Sequence, residues 1–217
     1  MALNGWRRFP CGKPTPSPRR AGAAQRLMPT EALRLRGRHN ALNALAALAL
    51  AQTVGASLAP MLHALREYAG EPHRCEFVRN IAGVDFVNDS KGTNVGATVA
   101  ALEGMGRPVV LIAGGLGKGQ DFAPLAEAIG RHAKAVVLIG QDAPLIRAAL
   151  EGMPVVLRDA ASLEAAVETA MEAASEGDVV LLSPACASMD MFKNYGQRGQ
   201  RFVEAVAELA LDRGEVA

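Results

Sequence analysis

Three unbroken apolar runs constrain this chain more than any other feature: residues 109–113, residues 135–139, and residues 178–182 after the opening Asp178. A strand that alternates apolar and polar residues needs cover on one face only, whereas a continuous apolar strand must be covered on both. Between and around these runs lie segments of helical pattern, at 95–104, 122–132, 144–150 and 162–175, with a last one at 197–211. Shorter strands are expected at 76–79, 84–88 and 155–157, the first two joined at Ala82-Gly83 as a hairpin. Strand and helix in alternation predict a mostly parallel sheet of about six strands with helices on both faces, an α/β fold. Aromatic residues make up only 4% of the chain, which suits close-packed helices on a sheet better than an aromatic-rich β-sandwich.

The first part of the chain differs in character. Residues 1–30 hold five of the twelve prolines and show no periodicity, so they are expected to be a disordered tail or sequence foreign to the fold. Residues 40–53 are rich in Ala and Leu and free of Gly and Pro, and read as a buried helix. Gly55 ends it, and Ser57 is placed to cap a second helix running to about Tyr68. Three regions follow: a tail at 1–30, a helical segment at 31–70, and the α/β domain at 71–217.

Charge is divided unevenly along the chain. Residues 1–40 carry nine Lys/Arg against one acid, Glu31, and the remainder carries fourteen against twenty-one. The folded part is therefore mildly acidic, which argues against a nucleic-acid surface there. Cys11, Cys75 and Cys186 form no pair at metal-ligand spacing, and the four histidines are not paired at helix or hairpin spacing. Scattered thiols point to a reducing compartment and hence to the cytoplasm. The longest apolar run, residues 44–51, falls short of the roughly 18 residues a membrane span needs.

In parallel sheets, ligands sit beyond the carboxyl ends of the strands. That rule nominates the loops at 88–94, 114–121, 140–142 and 183–195. The first reads Asn-Asp-Ser-Lys-Gly-Thr-Asn and opens a helix, where free N–H groups and Lys91 would receive an anion. Capping by Thr93 or Asn94 accounts for one or two of these residues but not for all seven. The second loop, Gly-Gly-Leu-Gly-Lys-Gly-Gln-Asp, fails the phosphate-loop pattern GxxxxGK[ST], with Ile112 and Gly119 in the required places. It fails GxGxxG at Gln120 as well, and what is left is a glycine turn presenting Lys118. The last loop follows the final strand; Cys186 there reads as an inert thiol and Ser188 as a hydrogen-bond donor to a carboxylate. His39 with Asn40, and His73 with Arg74, are weaker polar clusters.

Taken together, five stretches resemble the Mur ligase family. Residues 37–43 are similar to its GxHNxxN pattern, 72–76 to PHRxE, 88–94 to NDSKxTN, 114–122 to GGxGKxxDF, and 183–195 to SPACASxDxFKNF, with Tyr195 where Phe is usual. The order is right, and the last two patterns point to the members that add D-glutamate. The resemblance implies a Rossmann-like carboxy-terminal domain. It also implies a reaction in which ATP phosphorylates the carboxylate of UDP-N-acetylmuramoyl-L-alanine and the D-glutamate amine attacks the acyl phosphate.

By the same resemblance, Lys91 lies close to the reacting centre. Thr93 and Lys118 hold one D-glutamate carboxylate, and Ser188 with the backbone near Tyr195 holds the other. Asn40, Asn43, His73, Arg74 and Asp89 contact the nucleotide. The family's phosphate loop, its Mg²⁺-binding Glu and His and its modified lysine have no counterpart in these 217 residues. Residues 33–70 look like the last two helices of the family's central ATPase domain. The chain is accordingly expected to be the carboxy-terminal part of such a ligase, inactive alone. It is expected to be a monomer, with an amino-terminal half as its one potential complement, and to bind neither nucleic acid nor membrane.

Overall fold

The structure is a computed structural model that describes residues 26–35 and 38–215. The expected tail lies outside the described residues as far as position 25. Two helices come first, α1 (Arg38–Thr53) and α2 (Leu58–Glu67). The domain proper runs β1 (Glu76–Ile81), β2 (Val84–Asn88), α3 (Val95–Met105), β3 (Val109–Gly114), α4 (Ala123–His132), β4 (Ala133–Ile139), α5 (Ala143–Ala149), β5 (Val156–Asp159), α6 (Leu163–Ala173), β6 (Val179–Leu182) and α7 (Tyr195–Asp212).

The six strands form one sheet in the order β1-β2-β6-β3-β4-β5. Only the β1–β2 pair is antiparallel, turning at Ala82-Gly83 as the sequence suggested. β2, β6, β3, β4 and β5 are parallel to their neighbours. The apolar runs occupy the centre: β3 and β6 are buried at every position. Successive residues of a strand point to opposite faces, so each run feeds two cores. Val109, Leu111, Val136, Leu138, Val179 and Leu181 pack with α3, α4 and α5 through Leu102, Leu125, Ile129 and Ile146. Val110, Ile112, Val137, Val180 and Leu182 pack with α6 and α7 through Leu163, Val167, Phe202 and Val206. Burying each of these side chains contributes about 1.5–3 kcal/mol.

Two expectations about the leading helices need correction. α1 is not a buried helix: Leu48 is in the core, but Leu42, Leu45, Leu50 and Val54 are exposed, Val54 by 83%. Its apolar residues are distributed around the helix, and its neighbours are α3 and α2 alone among the elements it packs against closely. Ser57 stands at the start of α2, yet its side chain makes no capping hydrogen bond. Ser162 and Asn94 do cap, accepting from Ala165 N and Ala97 N. No helix among the described residues is long and apolar enough to cross a membrane.

Candidate active site

β2 delivers the first site loop. Its last residue, Asn88, is fully buried, and its carboxamide nitrogen donates to Gly199 O at 3.2 Å and Glu76 Oε2 at 3.3 Å and faces His73 Nδ1 at 2.9 Å. Asp89 continues the ladder, its N–H donating to Leu182 O at 2.7 Å. The Asp89 carboxylate points inward, accepting from Cys75 N at 3.3 Å and Ser183 Oγ at 2.7 Å. Burial outweighs those bonds and pushes its pKa up from 3.8 to about 6. Gly92 is required opposite it, because an added Cβ would stand 2.5 Å from Asp89 Oδ2 and 2.6 Å from Ser183 Oγ.

The three loops meet through backbone hydrogen bonds. Ala185 N donates to Gly92 O at 2.9 Å, joining the loop after β6 to the loop after β2. Leu116 and Ala187 exchange a pair of bonds, both 2.9 Å, joining the glycine loop after β3 to the same segment. The fourth nominated loop joins through Asp142, whose Oδ2 accepts from Gly117 N at 2.7 Å. Gly114 and Gly115 have φ of 124° and 126°, and an added Cβ would run into Ile139 O and Ala187 O respectively. Glycine is the residue that permits this approach.

Around this seam the nominated side chains are distributed unevenly. Lys91 Nζ lies 4.0 Å from the centre of the Tyr195 ring, and the His73 ring stands edge-on to Tyr195 at 6.3 Å. Tyr195 is the first residue of α7, which starts two residues earlier than the pattern suggested. Its carbonyl is already occupied, accepting from Ser90 Oγ at 2.8 Å. A carbonyl is an acceptor in any case, so only N–H and O–H groups in this neighbourhood can hold a carboxylate. Lys118 is exposed and sits at the tip of the glycine loop with φ of 56°. Thr93 is half-buried and Ser188 buried, each within the joined loops.

The nucleotide candidates are less closely gathered. His73 N–H and the Asn88 carboxamide share Glu76 Oε2, so His73 belongs to the site wall, while Arg74 is exposed beside it. Asn40 and Asn43 lie on α1, in the amino-terminal helical pair, and Asn43 is exposed. His39 has no described side chain.

Two residues that sequence reasoning passed over hold the loops in place. Arg198 of α7 is 1% exposed and donates Nε to Ser90 Oγ at 3.0 Å, Nη2 to Ser90 O at 2.8 Å and Nη1 to Cys186 O at 3.2 Å. Burial lowers its pKa to about 10, so it stays charged at neutral pH. Gln120, met only as the residue that spoils GxGxxG, accepts from Val95 N at 3.0 Å and donates to Ala185 O at 2.6 Å. Nothing local in the sequence marks either residue. Cys186 is buried and its thiol is pushed up to about 12, which makes it a poor nucleophile, as expected.

A cavity of about 410 Å³ lies at the ends of β4 and β5, lined by Gly140 and Gln141 of the fourth nominated loop with Arg147 and Asp159, and by none of the carboxylate- or nucleotide-binding candidates. Among the described residues no three His, Cys, Asp or Glu side chains are grouped to hold a metal ion. The arrangement at the seam offers cations at Lys91 and Lys118, small residues that admit a ligand to the backbone, and one buried carboxylate.

Residues 73–186 match the family model described as Mur ligase, glutamate ligase domain. The chain belongs to the Mur ligase family. Over 205 residues, 94% of this chain, it is 65% identical to the UDP-N-acetylmuramoylalanine–D-glutamate ligase of Bordetella avium. It is 62% identical over 88% of its length to the ligase of the same name from a Polaromonas species. It spans 40% and 33% of those two proteins. Among solved structures, UDP-N-acetylmuramate–alanine ligase of Thermotoga maritima superposes with a TM-score of 0.60 at 23% identity, over 81% of this chain and 39% of that one. Folylpolyglutamate synthase of Mycobacterium tuberculosis, solved with ADP, gives 0.58 at 18%, over 78% and 41%. These structures share the fold with the Mur ligase domain described here, and four of its five motif stretches meet at the carboxyl edge of one sheet.

Proposed function

We propose that this domain is the D-glutamate-receiving part of an ATP-dependent ligase that joins D-glutamate to UDP-N-acetylmuramoyl-L-alanine. One observation carries the reading: the loops that bear Lys91, Thr93, Lys118 and Ser188 are hydrogen-bonded to one another through Ala185–Gly92 and Leu116–Ala187. The names of the highly identical relatives supply the substrates. In the complete reaction the γ-phosphoryl of ATP passes to the carboxylate of UDP-N-acetylmuramoyl-L-alanine, releasing ADP. The D-glutamate amine then attacks the acyl carbon, loses its proton, and phosphate departs as the amide forms.

D-Glutamate brings two carboxylates, so its site needs donors at a fixed separation. Lys118 and Thr93 take one and Ser188 the other, assisted by N–H groups near Tyr195. Lys91, held over the Tyr195 ring, stands beside the reacting centre. The domain's contribution to rate is positioning of the amine. Asp89 faces the nucleotide ribose, His73 and Arg74 its phosphates, and Asn40 and Asn43 its adenine. Residues 31–70 correspond to the end of the ATPase domain, and Mg²⁺ takes no ligand from the residues described.

The test is a titration of the ¹⁵N-labelled chain with D-glutamate, with L-glutamate as control, beside an assay for ADP release with all three substrates. The expected result is D-selective shifts at the Thr93, Gly117 and Ser188 amides, lost in Lys118→Ala, and no ADP release, since the 217 residues contain no GxxxxGK[ST] sequence. Equal shifts from both enantiomers, or D-selective shifts unaffected by Lys118→Ala, defeat the assignment. ADP release by the purified chain defeats the expectation that it is inactive alone.

A further inference from the structure

We propose that Gln120 is a positioning residue for D-glutamate: its carboxamide fixes the separation of the three loops that hold the two carboxylates. This deepens the function proposed above and rests on it. The observation is a closed circuit of hydrogen bonds. Gly92 O accepts from Ala185 N at 2.9 Å, Ala185 O accepts from Gln120 Nε2 at 2.6 Å, and Gln120 Oε1 accepts from Val95 N at 3.0 Å. From Val95 the chain returns through Asn94 and Thr93 to Gly92, and the circuit closes.

Each candidate carboxylate holder is adjacent to this circuit. Thr93 lies inside it, Lys118 is two residues before Gln120, and Ser188 is three residues after Ala185. The carboxamide is used from both ends, as donor and as acceptor, which few side chains can do. Gln120 N–H also donates to Gly117 O at 3.2 Å, so the residue braces the turn that carries Lys118. Asp142 holds the other flank of that turn through Gly117 N at 2.7 Å. Accepting from Val95 N also satisfies a first-turn donor of α3, which would otherwise be open to a ligand anion.

A glutamate at this position separates the two functions. Ionised, it still accepts from Val95 N but meets Ala185 O as acceptor against acceptor. Protonated, it donates to Ala185 O as the carboxamide does. D-Glutamate binding is therefore measured by NMR titration for the 217-residue chain, Gln120→Ala and Gln120→Glu, at about pH 7.5 and at about pH 4, below the ordinary glutamate pKa of about 4.3. Thermal melts and exchange of the Val95 amide accompany the titrations.

Both variants should bind D-glutamate about tenfold more weakly at the higher pH with melting close to the parent, and Val95 exchange should quicken in Gln120→Ala alone. At the lower pH Gln120→Glu, but not Gln120→Ala, should recover toward the parent measured at the same pH. Parent-like binding by both variants overturns the role of Gln120 and leaves the D-glutamate reading standing. Weakened binding with no recovery of Gln120→Glu, or with melting lost in both variants, makes Gln120 a structural residue only and overturns the proposal. Absence of D-selective binding by the parent removes the D-glutamate reading and this inference together.

Discussion

Asp89→Asn should stabilise the chain, and by an amount that depends on pH. The Asp89 carboxyl moves from 3.8 to about 6 on folding because burial penalises its ionised form. The folded chain therefore holds a proton that the unfolded chain has released, and the stability contributed by this group falls as pH rises from about 4 through 6. At neutral pH the cost of keeping Asp89 ionised is about 3 kcal/mol, the free-energy equivalent of that difference. Asparagine is neutral throughout and fits the same bonds. Its oxygen accepts from Cys75 N, its amide donates to Ser183 Oγ, and Ser183 can turn its own hydrogen to Thr98 Oγ1, 3.0 Å away. Urea unfolding of both proteins at about pH 4 and about pH 7.5 gives the difference directly. The variant should match the parent at the lower pH and exceed it by about 2–3 kcal/mol at the higher. A variant less stable than the parent at neutral pH, or a gap that ignores pH, refutes the argument that burial dominates at Asp89.

Two further outcomes follow from the same edge. Gly114→Ala puts a Cβ against Ile139 O at a φ of 124°, so urea unfolding should show a loss of about 3 kcal/mol or more; parent-like stability would show that β3 and β4 can part there. Tyr195→Ala removes the ring beneath Lys91 and beside His73 and should cost about 1 kcal/mol, while Tyr195→Phe should be neutral by thermal melting. A Tyr195→Phe loss as large as the alanine loss would assign the energy to the hydroxyl.

The sheet was legible because a doubly covered strand admits few polar residues, and 109–114, 133–139 and 179–182 obey that closely. That the nominated loops would meet was legible for a related reason: in a parallel sheet the segments that follow the strands leave from one edge. α1 was misread because a composition of Ala and Leu does not say which turns of a helix find a neighbour. Leu48 does and Leu50 does not. Arg198 and Gln120 were passed over for a different reason. Apart from Ser90 Oγ, their partners are backbone carbonyls and an amide, 108 positions away for Arg198 with Ser90 and 65 for Gln120 with Ala185. Side chains that recognise backbone leave no complementary residue type in the sequence to betray them.

The same edge concentrates almost all the conformational cost that the described residues display. Of their five non-glycine residues with positive φ, His73, Cys75, Lys118 and Ala185 belong to its loops, and only Ala82 serves a hairpin turn. Each such residue costs about 1–2 kcal/mol, and the buried charges of Asp89 and Arg198 lie among them. Strain of this kind persists only where surrounding bonds over-determine it, and the Arg198 and Gln120 contacts supply that constraint. The loops are therefore shaped by the domain before any ligand arrives, and a ligand need not spend binding energy ordering them. Sheet burial on both faces provides the stability that this edge consumes. Removing a cost at this edge should accordingly raise stability, and Asp89→Asn, which keeps the bonds and removes the buried charge, isolates that effect.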